Sequence, residues 1–232
     1  MAFKAVFLDF YGTLVHEDEE IIPLICDEIR ASSSVSCENG HIGGYWWQRF
    51  SSIFRQSYGD SFLPQREIGI RSLTDTINNF QANGVAEQLI QKQFDHWIKP
   101  EIYEDTIPFL QFLQETPVYI LSNIDTEDIK EAIAYLELRV TGVITSEDVR
   151  AYKPRPELFE EGLRRSGLSA QDVIHIGDSL SSDVEGAQKL GIATVWLNRL
   201  NKRIPENIIP DFICKDLNEV RNRVFQEFSP PY

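Results

Sequence analysis

The chain has 232 residues, 42% hydrophobic and 25% charged, enough length and apolar content to bury a full core, which excludes a disordered tail or a disulfide-stapled mini-protein. Lys and Arg number 22 against 36 Asp and Glu, a formal charge of −14, so neither nucleic acid nor an anionic membrane is expected as a partner, because cations lead phosphate binding. The three cysteines, Cys26, Cys37 and Cys214, form no zinc spacing and no even framework, and the expectation is reduced thiols in a cytoplasmic protein.

The first apolar run, Lys4 to Leu8, is too short for a secretory signal and is broken by Asp9; no later stretch approaches the roughly 18 apolar residues of a membrane span. It reads instead as a strand. The next hundred residues read mainly as helices, at Ile21 to Arg30, Tyr45 to Ser57, Arg66 to Phe80 and Val85 to Ile98. Ser32-Ser33-Ser34 and Asn39-Gly40 through Gly43-Gly44 read as loops between them. Strand and helix then alternate: Val118 to Leu121, a helix from Thr126, Gly142 to Ile144, a helix from Pro156, Val173 to Ile176 and Ala193 to Leu197. Continuous apolar runs suit strands buried on both faces of a parallel sheet. Asp216 to Gln226 reads as a closing helix before a Pro230-Pro231 tail. The predicted fold is α/β, a Rossmann-like parallel sheet core formed by residues 1–15 and 99–232 with a helical domain inserted at 16–98.

Ligands of an open parallel sheet collect at the carboxyl ends of its strands. Those ends carry Asp9-Phe10-Tyr11-Gly12-Thr13, then Ser122-Asn123, then Lys153 in the loop after the third strand, then Gly177-Asp178-Ser179 with Asp183 beyond. One aspartate after a strand is ordinarily a helix cap. Four such ends in the order acid, hydroxyl, lysine, acid resemble the four motifs of the haloacid dehalogenase superfamily, and the helical insertion resembles its C1 cap. The 31 positions from Ser122 to Lys153 leave no room for a second cap.

The resemblance implies that Asp9 is a nucleophile forming a covalent intermediate, which splits one hard displacement into two easier steps. It further implies that Ser122 and Lys153 hold the transferring group, with Thr13 and Asn123 as further donors to substrate. The implied metal ligands are the carboxylates of Asp9, Asp178 and Asp183 and the backbone carbonyl of Tyr11. Three carboxylates converging on one lysine require a cation or raised pKa values at neutral pH, and an all-oxygen set with a phosphate substrate favours Mg²⁺.

Two features pull apart. Phosphatases of the superfamily usually carry an aspartate two residues after the nucleophile as general acid and base, where this chain has Tyr11, a poor base at neutral pH. An Asp-x-Tyr-Gly-Thr loop resembles the 2-haloacid dehalogenases, whose halide leaves unprotonated and which need no metal. Yet Asp178 stands where those enzymes lack a carboxylate, Phe159 stands where they resemble a tyrosine, and Arg30 and Arg49 miss the spacing of their substrate-gripping arginine. The expectation is a Mg²⁺-dependent phosphatase of small phosphorylated metabolites. A 2-haloacid dehalogenase and a phosphate-holding regulatory protein with weak turnover are the alternatives.

Other residues carry milder expectations. Trp46, Trp47 and Phe50, with Arg49 between them, read first as the insertion's own core, Glu17-Asp18-Glu19-Glu20 as a solvated helix start, and His175 as a satisfied core histidine. His16, just past the first motif, is the histidine nearest the expected site.

Overall fold

The computed structural model describes residues 3–203 and 207–225. Six strands, β1 (Ala5–Leu8), β2 (Val118–Ser122), β3 (Gly142–Thr145), β4 (Val173–Gly177), β5 (Ala193–Leu197) and β6 (Phe212–Cys214), form one parallel sheet in the order β3-β2-β1-β4-β5-β6. The predicted strands are all present, within a residue or two. β6 went unread because an edge strand of three residues gives no period to detect.

β1 lies at the centre, and its four side chains are fully buried. Val6 and Leu8 point to the face that holds Ile120, Ile174, Ile176 and Val195, whereas Ala5 and Phe7 point to the face that holds Leu121, Ile144, Leu158 and Phe159. The two-residue period of a strand thus divides one short segment between two cores. Pairing Leu8 with Ile120 on one side and Ile176 on the other aligns the carboxyl ends of the three central strands. The strand order reverses between β1 and β4, and the crevice above that point is where an open α/β sheet binds ligands.

Between β1 and β2 lie α1 (Ile21–Ser32), α2 (Asn39–Gln56), α3 (Gln65–Asn79), α4 (Ala86–Leu89), α5 (Gln91–Ile98) and α6 (Thr106–Phe112). Asn39 to Gly44, expected as a loop, forms the opening turns of α2. Burial of Ile42 and Trp46 along α2 outweighs the poor helix propensity of glycine there; a Cβ on Gly43 would sit in ordinary van der Waals contact, 3.6 Å from Cys26 Sγ. The helices of the second half are α7 (Thr126–Tyr135), α8 (Ser146–Val149), α9 (Glu157–Ser166), α10 (Gly186–Gln188) and α11 (Leu217–Val220), the last continuing in a wide π-type turn to Phe225. The expected closing helix is thereby present up to Phe225; Gln226 and the Pro230-Pro231 tail lie outside the described residues.

Polar contacts hold the helical insertion against the sheet. Asp125, after β2, accepts backbone N–H bonds from Gln65 at 2.6 Å and Arg66 at 3.0 Å, capping α3 from outside its own segment. Arg66 also pairs with the buried carboxylate of Asp128 at 2.6 Å, and the Tyr152 hydroxyl donates to the Leu63 carbonyl at 2.8 Å. A second junction is buried where Arg199, after β5, donates to both oxygens of Asp105 and to the Thr13 carbonyl. Asp105 accepts in turn from the Leu217 N–H, joining the insertion's exit, the loop after β1 and α11. Among the described residues no helix is long and apolar enough to cross a membrane, and the three cysteines are free thiols.

Candidate active site

A cavity of about 360 Å³ opens above the carboxyl ends of β1, β2 and β4 and beneath α2 and α5. Asp9, Tyr11, Ser122, Asn123, Lys153, Asp178 and Asp183 all line it, although they are spread over 175 positions of sequence. Four separate segments converge there because the strands that carry them are paired in register.

Lys153 is the hub. Its side chain is 1% exposed, and its ammonium donates to Asp9 Oδ1 at 2.7 Å, Asp183 Oδ1 at 2.6 Å and the Leu121 carbonyl at 2.8 Å, which uses all three of its protons. Burial pulls its pKa down, but Asp183 and Asp9 outweigh that and hold the ammonium above the ordinary lysine range. Asp183 is likewise opposed by burial, yet Lys153 and His175 keep its carboxyl well below the usual range. Asp9 is pushed up to about 6 by burial, against the pull of Lys153 and with Asp183 adding to the rise.

Asp178 has no such partner. Its carboxylate, with those of Asp9 and Asp183, presents oxygens that all lie within 4.8 Å of one another. Among the described residues it forms no ion pair, and its pKa is raised well above the ordinary value by burial and by the charges of Asp9, Glu17 and Asp183. Two glycines make this crowding sterically feasible. A Cβ on Gly12, whose φ is +81°, would meet the Asp178 carboxyl carbon at 2.7 Å, and one on Gly177 would meet that of Asp183 at 2.2 Å.

Some expected residues are placed otherwise than the sequence suggested. Thr13 does not line the cavity; it is fully buried, with its hydroxyl 3.4 Å from Asp9 Oδ2, so it faces the nucleophile candidate rather than a ligand. Asn123 reaches the cavity wall but spends its amide on Lys153, accepting from that backbone N–H at 2.7 Å and donating to its carbonyl at 3.1 Å. It positions the lysine loop with its carbonyl oxygen and one of its two amide protons. The Tyr11 hydroxyl donates to the Trp97 carbonyl at the end of α5 at 2.6 Å, and burial together with Asp128, Asp9 and Asp18 raises its pKa well above that of a free phenol. Its proton is directed at the insertion, not into the cavity.

His175 is buried in β4, where its Nε2 lies 3.0 Å from Asp183 Oδ1 and its ring stands edge-on to Phe159. Burial lowers its pKa, so the neutral ring donates from Nε2, and Nδ1 is left without a partner. His175 is therefore only half satisfied. His16 stacks on Tyr103 with ring centroids 3.9 Å apart and does not line the cavity.

Two mild expectations are corrected. Trp46 is core, 4% exposed and bonded through Nε1 to Ser72, but Trp47 is 69% exposed and with Phe50 lines the cavity. The same apolar stripe reads alike whether it faces a core or a cavity, which is why periodicity misassigned it. Arg49 lies off this stripe, paired with Asp75, and Arg30 pairs with Asp27. Of the acidic run, Glu17 and Asp18 also line the cavity; Asp18 accepts from Gln93 and, at 3.4 Å, from Trp97 Nε1, and burial with Asp18 and Asp9 pushes Glu17 up to about 7.

A parallel α/β sheet with an acid–lysine–acid cluster at its switch point defines a ligand site of the doubly wound class, and comparison with known proteins names the family. The model of the haloacid dehalogenase-like hydrolases matches residues 3–191. The chain belongs to that family. It is 32% identical over 215 residues to haloacetate dehalogenase H-2 of Moraxella sp., covering 90% of this chain and 92% of that protein. It is also 30% identical over 107 residues to glyceraldehyde 3-phosphate phosphatase of Methanopyrus kandleri, where the match spans 44% of this chain and 45% of that protein, less than half the relative's length. In three dimensions it resembles the L-2-haloacid dehalogenase RSc1362, with a TM-score of 0.79, 18% identity and coverage of 97% of this chain and 100% of that one. Phosphatases and dehalogenases both stand among its relatives.

Proposed function

We propose that the protein is a Mg²⁺-dependent phosphatase of small phosphorylated metabolites acting through a covalent aspartyl-phosphate on Asp9. The observation that carries this reading is Asp178, a carboxylate beside Asp9 and Asp183 that forms no ion pair among the described residues. Lys153 supplies one positive charge to three carboxylates, so the cluster is short of positive charge by design of its sequence. An all-carboxylate donor set fits a hard cation such as Mg²⁺, held by Asp9 and Asp178 with Asp183 and the Tyr11 carbonyl beside them. Bound there, the ion would offset the charge of a phosphoryl group that must approach three acids.

The protein's own groups define the remaining steps. Lys153 fixes Oδ1 of Asp9, leaving Oδ2 to form the bond to phosphorus as the bond from phosphorus to the leaving oxygen breaks. Ser122 and Lys153, which line the cavity with Asp9, would contact the transferred group, the lysine as a fixed positive charge. Water then attacks phosphorus, inorganic phosphate departs and the Asp9 carboxylate is regenerated. Because the Tyr11 proton is engaged by Trp97, the reading favours leaving groups that need little protonation, such as acyl phosphates. A cytoplasmic location, consistent with three free thiols, belongs to the same proposal.

The second reading, a metal-independent 2-haloacid dehalogenase, is favoured by the near full-length similarity to haloacetate dehalogenase H-2. Against it, no Arg or Lys besides Lys153 lines the cavity among the described residues, so a substrate carboxylate finds no free cation. The third, a phosphate-holding regulator, rests on Tyr11 alone. Phosphate release from acetyl phosphate, with Mg²⁺ and with the cation chelated, discriminates them when run beside chloride release from 2-chloropropionate. Mg²⁺-dependent phosphate release that disappears in Asp9→Asn is the expected result; chloride release without metal and no phosphate release would overturn the proposal.

A further inference from the structure

Substrate selection is written on the wall opposite the carboxylates. Helix α2 presents Gly43, Trp46, Trp47, Phe50 and Phe54 to the cavity, at the spacing of one helical stripe. In a helix of a small domain that stripe is normally buried in a core, yet here Trp47 is 69% exposed. Its indole stacks on Phe50 with ring centroids 6.0 Å apart and planes 11° from parallel. Phe50 stacks on Phe54 at 5.7 Å, and Phe54 meets Tyr152 of the core at 4.0 Å, so a row of rings runs along the cavity wall. An apolar face left open beside a polar reaction centre needs an apolar occupant.

Charge narrows the occupant. The side chains that the loop before α1 turns into the cavity are Glu17 and Asp18. Of the two arginines of α2, Arg49 is drawn away by Asp75, at 2.9 Å from Nε, and Arg55 does not line the cavity. Among the described residues lining the cavity, an organic group with a second phosphate or a carboxylate would meet acids, rings and the neutral amides of Gln65 and Gln93, and no Arg or Lys besides Lys153.

We infer that the cavity selects monoesters whose organic part is a flat aromatic group without a second anionic charge, the ring lying along the Trp47–Phe50 face of α2. This rests on the phosphatase reading for the reacting end, and it deepens that reading by naming what the other end must be. A ring that stacks there excludes water from the rings and gains both burial and stacking.

The test is calorimetric binding, with Mg²⁺ present, of three non-hydrolysable ligands that share a phosphonate and differ only in the organic part: 2-phenylethylphosphonate, ethylphosphonate and 2-carboxyethylphosphonate. The phenyl ligand is expected to bind at least about tenfold more tightly than the ethyl ligand, and the carboxy ligand more weakly than either. Trp47→Ala and Phe50→Ala should each cut the phenyl-to-ethyl ratio several-fold, and Glu17→Gln should recover affinity for the carboxy ligand. Trp47 is exposed, so its removal leaves the fold's core intact. A phenyl-to-ethyl ratio within about twofold of unity, or one that neither ring variant changes, overturns the inference. If acetyl phosphate is hydrolysed with Mg²⁺ while that ratio is flat, the specificity inference fails alone; if acetyl phosphate is inert and no phosphonate binds, both fail.

Discussion

Replacing Asp178 by Asn separates stability from function in one residue. The carboxylate oxygens of Asp9, Asp178 and Asp183 lie within 4.8 Å of one another, and at that separation two like charges repel by about 3 kcal/mol at an effective permittivity of about 20. Lys153 offsets part of this, so removing the unpaired member should stabilise the cation-free protein by roughly 1 to 3 kcal/mol, or about 2 to 12 °C in Tm for a chain of this size. The sign with pH follows from the raised pKa of Asp178. A carboxyl whose pKa is higher folded than unfolded imposes no penalty below its ordinary value near 4, and the penalty grows as pH rises above it. Asp9, raised to about 6, behaves alike, with a penalty of about 3 kcal/mol that is complete above pH 6.

The variant should therefore melt higher than wild type at pH 8 in chelator, and the difference should close as pH falls toward 4. Mg²⁺ reverses the order. At about a hundred times its Kd the ion should stabilise wild type by about 2.7 kcal/mol and the variant by a small fraction of that. Differential scanning calorimetry at pH 4.5 and 8, with and without Mg²⁺, reads every term. A variant that melts below wild type in chelator at pH 8, or that gains as much from Mg²⁺, would refute the reasoning.

Three further substitutions probe the supports of the site. Gly177→Ala places a Cβ 2.2 Å from the Asp183 carboxyl carbon and must push that group off Lys153, so we expect a loss of about 1 to 3 kcal/mol in urea unfolding together with near-complete loss of turnover. Wild-type turnover in this variant would show that the Asp183–Lys153 contact is dispensable. Asn123→Ala breaks both bonds to the Lys153 backbone; stability should fall by about 1 to 3 kcal/mol, and kcat should drop more than KM rises. A change confined to KM would instead make Asn123 a substrate ligand. Arg199→Ala strands the buried Asp105 carboxylate and should cost about 3 to 5 kcal/mol, whereas a cost below about 1 kcal/mol would mean that the junction contributes little.

The sheet was legible because β1, β2, β4 and β5 are short, mostly apolar runs, as burial on both faces demands, and β1, β2 and β4 lead directly into chemistry-bearing residues. The convergence of Asp9, Ser122, Lys153, Asp178 and Asp183 was legible for the same reason, since they lie at or beyond the carboxyl ends of strands and the ends of paired strands coincide. Side-chain direction was not. Thr13 directs its hydroxyl at Asp9, and Asn123 bonds the Lys153 backbone, contacts that residue type and position do not announce. The glycine-rich start of α2 reads locally as a loop, yet it is helical, with Ile42 among it buried. Glu17 and Asp18 read as a solvated run, and only the fold brings them over the cavity.

The central claim is that Asp9 bonds to phosphorus, and the intermediate itself tests it most directly. Wild-type protein is mixed with acetyl phosphate and Mg²⁺, quenched in acid within a turnover, and the peptide carrying Asp9 is weighed by mass spectrometry, with a parallel sample mixed with 2-chloropropionate in chelator. The account predicts a phosphoryl group on Asp9 in the first sample, lost on longer incubation, and an unmodified peptide in the second. An unmodified peptide in the first and a 1-carboxyethyl ester on Asp9 in the second, formed as chloride leaves, would contradict it.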